Sequence, residues 1–335
     1  MDKSFDIVVH GATGFTGRLV VDDLLRQYPQ RGASGLRFAM GGRSAAKLAT
    51  VRDDLGAPAW MRQMRDAHEA AAKASGARTV FVCGCDSIPF DLGVFKLQQA
   101  MQAQHGGPAP RVRGRVRRML GTFSGGTAAS LKATMAAVLQ DPQVMALLRD
   151  PFSLTPGFTG PRQPPGNKPM QDEALGLWLA PFVMAAINTR NLHRSNFLLD
   201  HAWGADFVYD EMLVTGAGEK GEAMAQAIAA DKSLGAEGGP KPGEGPSLAE
   251  REAGFFDVLF LGHDAQCRAL RLGVTGDRDP GYGSTSKMIS EAAVCLLQDS
   301  TATAGGIWPP ASAMGAALID RLEQHAGLRF QIEAA

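Results

Sequence analysis

Residues 5–17 read FDIVVHGATGFTG, and an amphipathic segment over 18–27 follows at once. An apolar run (Ile7, Val8, Val9) breaks into three closely spaced glycines before that segment. The order is strand, tight turn, helix, the first βα unit of a dinucleotide-binding fold. Small residues are needed at such a turn. Gly11 lets the chain turn sharply off the strand, Gly14 lets the backbone approach a pyrophosphate, and Gly17 lets the helix pack close to the strand. Gly11, Ala12, Thr13, Gly14, Phe15, Thr16 and Gly17 are therefore the expected cofactor-binding turn. The helix points its free N–H groups and the positive end of its dipole at the phosphates. The spacing is GxxGxxG rather than GxGxxG, so the assignment rests on the turn's place between strand and helix.

With 335 residues the chain is long enough for two domains, each with its own core. Hydrophobic residues make up 45% and charged residues 20%, which excludes a disordered chain. A formal net charge of zero provides no global field to attract nucleic acid, and none is expected as a partner. The opening MDKSFDIVV lacks the features of a signal peptide. Four cysteines in so long a chain do not form a disulfide framework, so a cytoplasmic setting with reduced thiols is expected. The longest nearly unbroken apolar stretch, 175–187, is too short to span a bilayer and contains Pro181. It reads as buried, with peripheral membrane contact as the second reading.

Beyond the first helix, residues 36–40 read as a second strand ending in Gly41-Gly42-Arg43-Ser44. An acidic residue at that strand end would hold a ribose 2′-hydroxyl, whereas an arginine suits a 2′-phosphate. No acid is present, so Arg43, with Ser44 beside it, points to NADP(H). Ser44 also suits the N-cap of a helix through Leu55. A second helix over 60–75 follows, with Trp60, Met64, Ala67 and Ala71 at helical spacing, and then a strand over 78–83. Two helices in tandem where strand and helix should alternate mean that a strand is missing. The remaining strand over 79–82 is expected to move in beside 7–9, giving a contracted parallel sheet. A boundary falls in 102–110, dividing a Rossmann-like domain over 1–105 from an α+β domain over 106–335. The C-terminal helix (313–325) and strand (328–332) are placed to pack back on the first domain.

In the second domain, residues 111–123 alternate Arg111, Arg113, Arg115 and Arg117 with small or apolar residues. That pattern predicts a strand with one solvated basic face, and its second reading is a landing site for an acidic partner or a phosphate-bearing substrate, close to the substrate entrance. Residues 254–262 and 266–273 read as a hairpin, and 284–298 as a helix.

The stretches HGATGFTGRLV, GGRSAAKL, ASGARTVFVCGCDSIPFDLGV, GTFSGGTAAS, PFVMAAINTR, VTGDRDPGYGSTSKMISEAAVCLL and GGIWPPASAMGAAL resemble the saccharopine dehydrogenase-like oxidoreductases, in particular their trans-acting enoyl reductase branch. The resemblance implies an NADPH-binding Rossmann domain followed by an α/β substrate domain. It further implies reduction of a carbon–carbon double bond in a lipid-like acyl chain held as an enoyl thioester, on a carrier protein in some cases. Members of that family have several dozen residues between the second helix and the segment matching Trp60, and this chain lacks them. They also have an aromatic residue where Cys85 stands. Cys83 and Cys85 have no second cysteine pair to complete a metal site, and no metal is expected.

Residues 84–93 form a turn leading into a helix at the carboxyl end of a Rossmann strand, the usual place for chemistry. Asp86 and Ser87 are thus the candidate catalytic residues, orienting a substrate, although either could simply cap the helix. Two other readings stay open: saccharopine-type amino-acid dehydrogenation, which the apolar 175–187 stretch disfavours, and a cofactor-binding protein without activity because of the missing segment.

Overall fold

A computed structural model describes residues 6–10, 12, 14–28, 36–41, 57–122, 141–173, 175–231, 241 and 244–334. Strand β1 (Ile7–His10) pairs in parallel with β2 (Phe38–Gly41), with Ile7 opposite Phe38 and Val9 opposite Met40. The helix α1 (Phe15–Gln27) lies between them in the chain and buries Val20, Val21 and Leu24 against Val9. These positions fall on one face at i, i+1 and i+4, as an amphipathic helix requires. The helix α2 (Ala57–Ser75) forms as expected, but its inner face carries Ala59, Met61, Arg65 and Ala72, while Ala67 and Ala71 are exposed.

The strand expected over 78–83 is shorter. β3 (Arg78–Val80) stops before Val82, whose φ of 51° takes the chain out of the extended region. Its partner is β10 (Gly306–Trp308), paired in parallel, so the expected pairing with 7–9 does not form. The physical reason lies in the ladder. The Gly306 N–H donates to Ala77 O at 2.8 Å and the Phe81 N–H to Trp308 O at 3.1 Å. A strand from the far end of the chain thus meets the backbone demand that β1 was expected to meet.

The main sheet has seven strands in the order β11-β9-β8-β4-β7-β6-β5. They are β4 (Arg111–Leu120), β5 (Met170–Asp172), β6 (Leu177–Pro181), β7 (Val208–Gly216), β8 (Phe255–His263), β9 (Ala269–Gly276) and β11 (Leu328–Glu333). β4 and β7 are parallel and the other neighbours antiparallel, with β8 and β9 forming the expected hairpin. The molecule is a mixed α/β fold. The helix α3 (Ile88–His105) is buried almost all round at its start, through Ile88, Phe90, Leu92 and Val94, and shares one core with β4, β8 and β9.

In chain order, the remaining helices among the described residues are α4 (Pro142–Arg149), α5 (Ala185–Leu198), α6 (Gly218–Ala230), α7 (Leu248–Ala253), α8 (Thr285–Gln298) and α9 (Pro310–His325). A π-helical turn (Pro280–Ser284) precedes α8. Helix α8 places Val294 in the small core of α1. At the end of α1, the Tyr28 hydroxyl donates to Glu291 at 2.8 Å, and Arg321 of α9 donates to both Glu291 and Tyr28. The first βα unit is held by helices from the other end of the chain.

The arginines of β4 do not form a free basic face. Arg115 is 2% exposed, and donates through Nε to Asp172 and through a terminal nitrogen to Asp210, both at 2.8 Å. Arg111 also pairs with Asp210, and Arg117 bonds Asp257 of β8 and Glu333 of β11 at 2.6 Å each. The acids stand on other strands of the same sheet, which a reading of one strand alone could not show. At Arg111, Arg115 and Arg117 the expected solvated or partner-facing strip is thereby corrected to ion pairs within the sheet, while Arg113 is half-buried.

Burial alone would raise the Asp172 carboxyl, but the hydrogen bond and charge of Arg115 outweigh it and hold it below the ordinary carboxylate value. That contribution is fully present at neutral pH and is lost as the pH falls through the depressed value. Replacing Arg115 with Met strands buried carboxylates. It should cost about 3–5 kcal/mol at pH 7, read from urea midpoints, with a smaller deficit near pH 3.

Candidate active site

Three turns converge where α1 begins. Gly14 is extended (φ −76°, ψ 167°) at the N-cap position, no side chain caps the helix, and its first turn carries no acid. Among the described residues, the opening N–H groups of α1 are thus left without a capping side chain, as an anion site requires. Phe15 fixes this start in place. Its ring meets Tyr282 edge-on at 5.1 Å between centroids, and the Arg251 guanidinium sits 5.7 Å from its centre. A Cβ on Gly245 would lie 2.6 Å from the Phe15 ring, so only glycine fits there.

The turn contributed by Tyr282 is built on Asp279. This fully buried carboxylate accepts the N–H groups of Gly281, Tyr282 and Gly283 at 3.0, 3.2 and 2.6 Å. Thr285 then ties the turn to the one that follows β3, because its hydroxyl accepts the Cys85 N–H at 2.9 Å and donates to Pro280 O at 2.9 Å. The glycine turn, residues 84–87 and residues 279–285 therefore form one unit.

Asp86 is half-buried in that unit, and loss of hydration raises its carboxyl above the ordinary value. Ser87 stands at the N-cap of α3 but makes no capping bond. Its hydroxyl donates to Asn188 Oδ1 at 3.2 Å and accepts from Asn191 Nδ2 at 3.1 Å. Ser87 is fully buried, so its chemistry is to join α3 to α5. The network continues inward: Asn188 Nδ2 donates to Glu211 Oε1 at 2.7 Å, and the Tyr209 hydroxyl donates to Glu211 Oε2 at 2.7 Å. Burial pushes the Glu211 carboxyl up to about 8, against the pull of those two bonds. Asp91 lies on the next turn of α3 and accepts the Ala311 N–H of α9 at 2.8 Å, and burial pushes it up to about 7. Both acids therefore keep a proton in conditions where a surface carboxylate would be charged.

Cys83 and Cys85 are no reactive pair, since burial and nearby carboxylates push the Cys83 thiol up to about 12 and the Cys85 thiol well above its ordinary value. Among the described residues, no group of three His, Cys, Asp or Glu side chains is placed to hold a metal ion. No described helix is long and apolar enough to cross a membrane.

No protein-family model matches the chain. It is 30% identical to a Mycobacterium tuberculosis (strain H37Rv) protein provisionally named a trans-acting enoyl reductase, with 98% of this chain and 97% of that protein covered. The chain belongs to the trans-acting enoyl reductase family. Trans-acting enoyl reductases of Mycobacterium ulcerans (strain Agy99) and of Mycobacterium bovis (strain BCG / Pasteur) are 29% and 28% identical to it, each over 96% of both chains. The first of these alignments spans 415 positions against 335 residues here, so that relative carries at least 80 residues with no counterpart in this chain.

Of the residues singled out from the sequence of this family member, Ala12, Gly14, Phe15, Thr16 and Gly17 lie at the start of α1, and Asp86 and Ser87 lie on the turn joined to it through Thr285. Gly11, Thr13, Arg43 and Ser44 lie outside the described residues, as does the whole of the helix expected over 44–55. Sequence reasoning missed Glu211, Asn188 and Asn191. The signal available was the string NTRNLHRSN (188–196), too polar for a helix that follows an apolar run unless its polar groups are used inside.

Because Glu211 and Asp91 hold their protons in the folded state, their contribution to stability is present at low pH and is lost as the pH rises toward about 8 and 7. Replacing Glu211 with Gln should flatten the fall in stability between pH 5 and pH 8.5, measured by urea denaturation at each pH, and leave the Asp91 part of the slope.

Proposed function

We propose that this protein is an NADPH-dependent reductase of enoyl thioesters with lipid-like chains. The observation that carries the reading is the uncapped start of α1, locked by Phe15, Tyr282 and Arg251 beside the turn that bears Asp86. Names carried by relatives over nearly their whole length support the enoyl substrate, and the motifs shared with saccharopine dehydrogenase-like oxidoreductases support the dinucleotide.

The residues present suit a dinucleotide. The N–H groups at Phe15, Thr16 and Gly17 have neither a side-chain cap nor an acidic neighbour in the first turn, so an anionic pyrophosphate satisfies them. Arg43, with Ser44 beside it, would take the 2′-phosphate, since a guanidinium forks onto phosphate oxygens. A bound nicotinamide would supply the hydride for the substrate's β-carbon. Asp86 orients the thioester end from the turn after β3. Ser87 keeps that turn fixed by holding α3 to α5, and the Asp279 turn prevents the start of α1 from shifting.

Two measurements test the reading separately. NADPH binding should be stronger than NADH binding, and NADPH should be oxidised in the presence of a 2-enoyl N-acetylcysteamine thioester. Binding without oxidation of NADPH on any enoyl thioester would leave a cofactor-binding protein and remove the reductase. Replacing Arg43 with Ala should weaken NADPH binding by roughly 1.5–3 kcal/mol and leave NADH nearly unchanged. Replacing Asp86 with Asn should lower kcat/KM for the thioester without changing the Kd of NADPH.

A further inference from the structure

A cleft of about 610 Å³ opens between the end of α4, the loop over 150–167, the start of α5 and β7. That volume is within the range of small-molecule sites. Phe152, Pro161, Pro181, Phe182, Ala185 and Ala186 give it apolar walls. Its edge carries Arg149 and Arg162, both exposed and without an ion-pair partner among the described residues. Arg190 stands deeper and is occupied, bonding the carbonyls of Leu147 and Leu148 at the end of α4. Of the nearby acids, Asp210 is paired with Arg111 and Arg115, burial raises the Glu211 carboxyl, and Asp150, exposed beside Arg149, accepts the Phe152 N–H at 2.8 Å, so the two edge arginines leave an excess of positive charge.

The cleft is also connected to the candidate active site. Glu211 forms part of its wall, and Glu211, Asn188 and Ser87 make a chain of two hydrogen bonds leading to the residue next to Asp86. We propose that this cleft receives an acyl chain thioesterified to phosphopantetheine, with the chain between the Phe152 and Phe182 walls and the phosphate at Arg149 and Arg162. The inference rests on the enoyl reductase reading and adds to it where the thioester lies and what recognises its head. Apolar walls bind the chain through the area they remove from water. Two edge arginines without an ion-pair partner among the described residues select a phosphate by charge-assisted hydrogen bonds.

The test uses saturated, unreducible probes and no cofactor. Titration calorimetry at low salt compares decanoyl-4′-phosphopantetheine with decanoyl-pantetheine. The phosphorylated probe should bind about tenfold tighter, and the advantage should shrink as salt is added. The double variant R149A/R162A should bind the two probes equally. Ala186→Trp puts a large side chain into the cleft from an exposed position, and should weaken both probes tenfold or more while the thermal midpoint stays at the wild-type value. Equal affinity of the wild type for both probes, or unchanged binding by Ala186→Trp, overturns the proposal. Decanoyl-coenzyme A and a decanoyl-loaded carrier protein are then used as competitors. Displacement by either supports the site and names the source of the phosphopantetheine, and displacement by neither overturns it. Failure of the reductase reading looks different: the probes bind as described, yet NADPH is not oxidised with any enoyl thioester. Turnover with a KM untouched by Ala186→Trp would keep the reductase and remove this cleft.

Discussion

Helix α5 is buried along most of its length although its sequence is largely polar, and much of the molecule is arranged to satisfy it. Asn188, Arg190, Asn191, His193, Arg194, Ser195 and Asn196 are all buried. A polar group taken out of water without a partner costs several kcal/mol, and most of these side chains find one, His193 Nε2 being an exception among the described residues. Asn188 reaches Glu211 on β7, Asn191 reaches Ser87 on α3, and Arg190 bonds carbonyls at the end of α4. Arg194 donates to Leu154 O at 2.8 Å and to Ile307 O of β10 at 2.6 Å, and pairs with Glu69 of α2. Asn196 closes its own C-terminal turn by bonding Trp203 and Gly204. One helix thus ties α2, α3, α4, β7 and β10 together, and does so by directional bonds rather than by apolar packing.

The same economy of partners explains how the charges are handled. Where an arginine is available, as at Arg115, acids are kept ionised and paired across strands. Where none is available, as at Glu211 and Asp91, the acid keeps its proton and accepts bonds from amide or hydroxyl groups. Both arrangements avoid a lone buried charge, which is the costly state. For the candidate site the result is rigidity. The turn bearing Asp86 is held from one side by Thr285 and from the other by Ser87, so its position is fixed before any ligand arrives.

The first βα unit has few partners of its own. β1 pairs with β2 and β3 with β10, so the described strands at this end form two short ladders instead of one continuous sheet. Val8 and Met40 are 58% and 68% exposed, high values for apolar residues on paired strands. Here α8 and α9 supply much of the support, through Val294 packed beneath α1 and through Glu291 and Arg321 bonded to Tyr28. The start of α1, where the phosphates would lie, is secured separately by Tyr282 and Arg251.

By itself the sequence determined what depends on neighbours in the chain. The strand and helix at the start, the helices expected over 60–75, 284–298 and 313–325 and found at 57–75, 285–298 and 310–325, and the hairpin of β8 and β9 all follow from local periodicity and turn residues. It also marked residues 84–87 as a turn opening a helix at a strand end. Only the tertiary structure decided which strand lies beside β3, because hydrogen-bond ladders join residues far apart in sequence, here Arg78–Val80 with Gly306–Trp308. It placed three of the four arginines, Arg111, Arg115 and Arg117, in ion pairs, since the acids that meet them come from β5, β7, β8 and β11. It also revealed Glu211 and the polar helix α5. A helix buried along most of its length shows little alternation of polar and apolar faces, so its role is legible only in the partners that surround it.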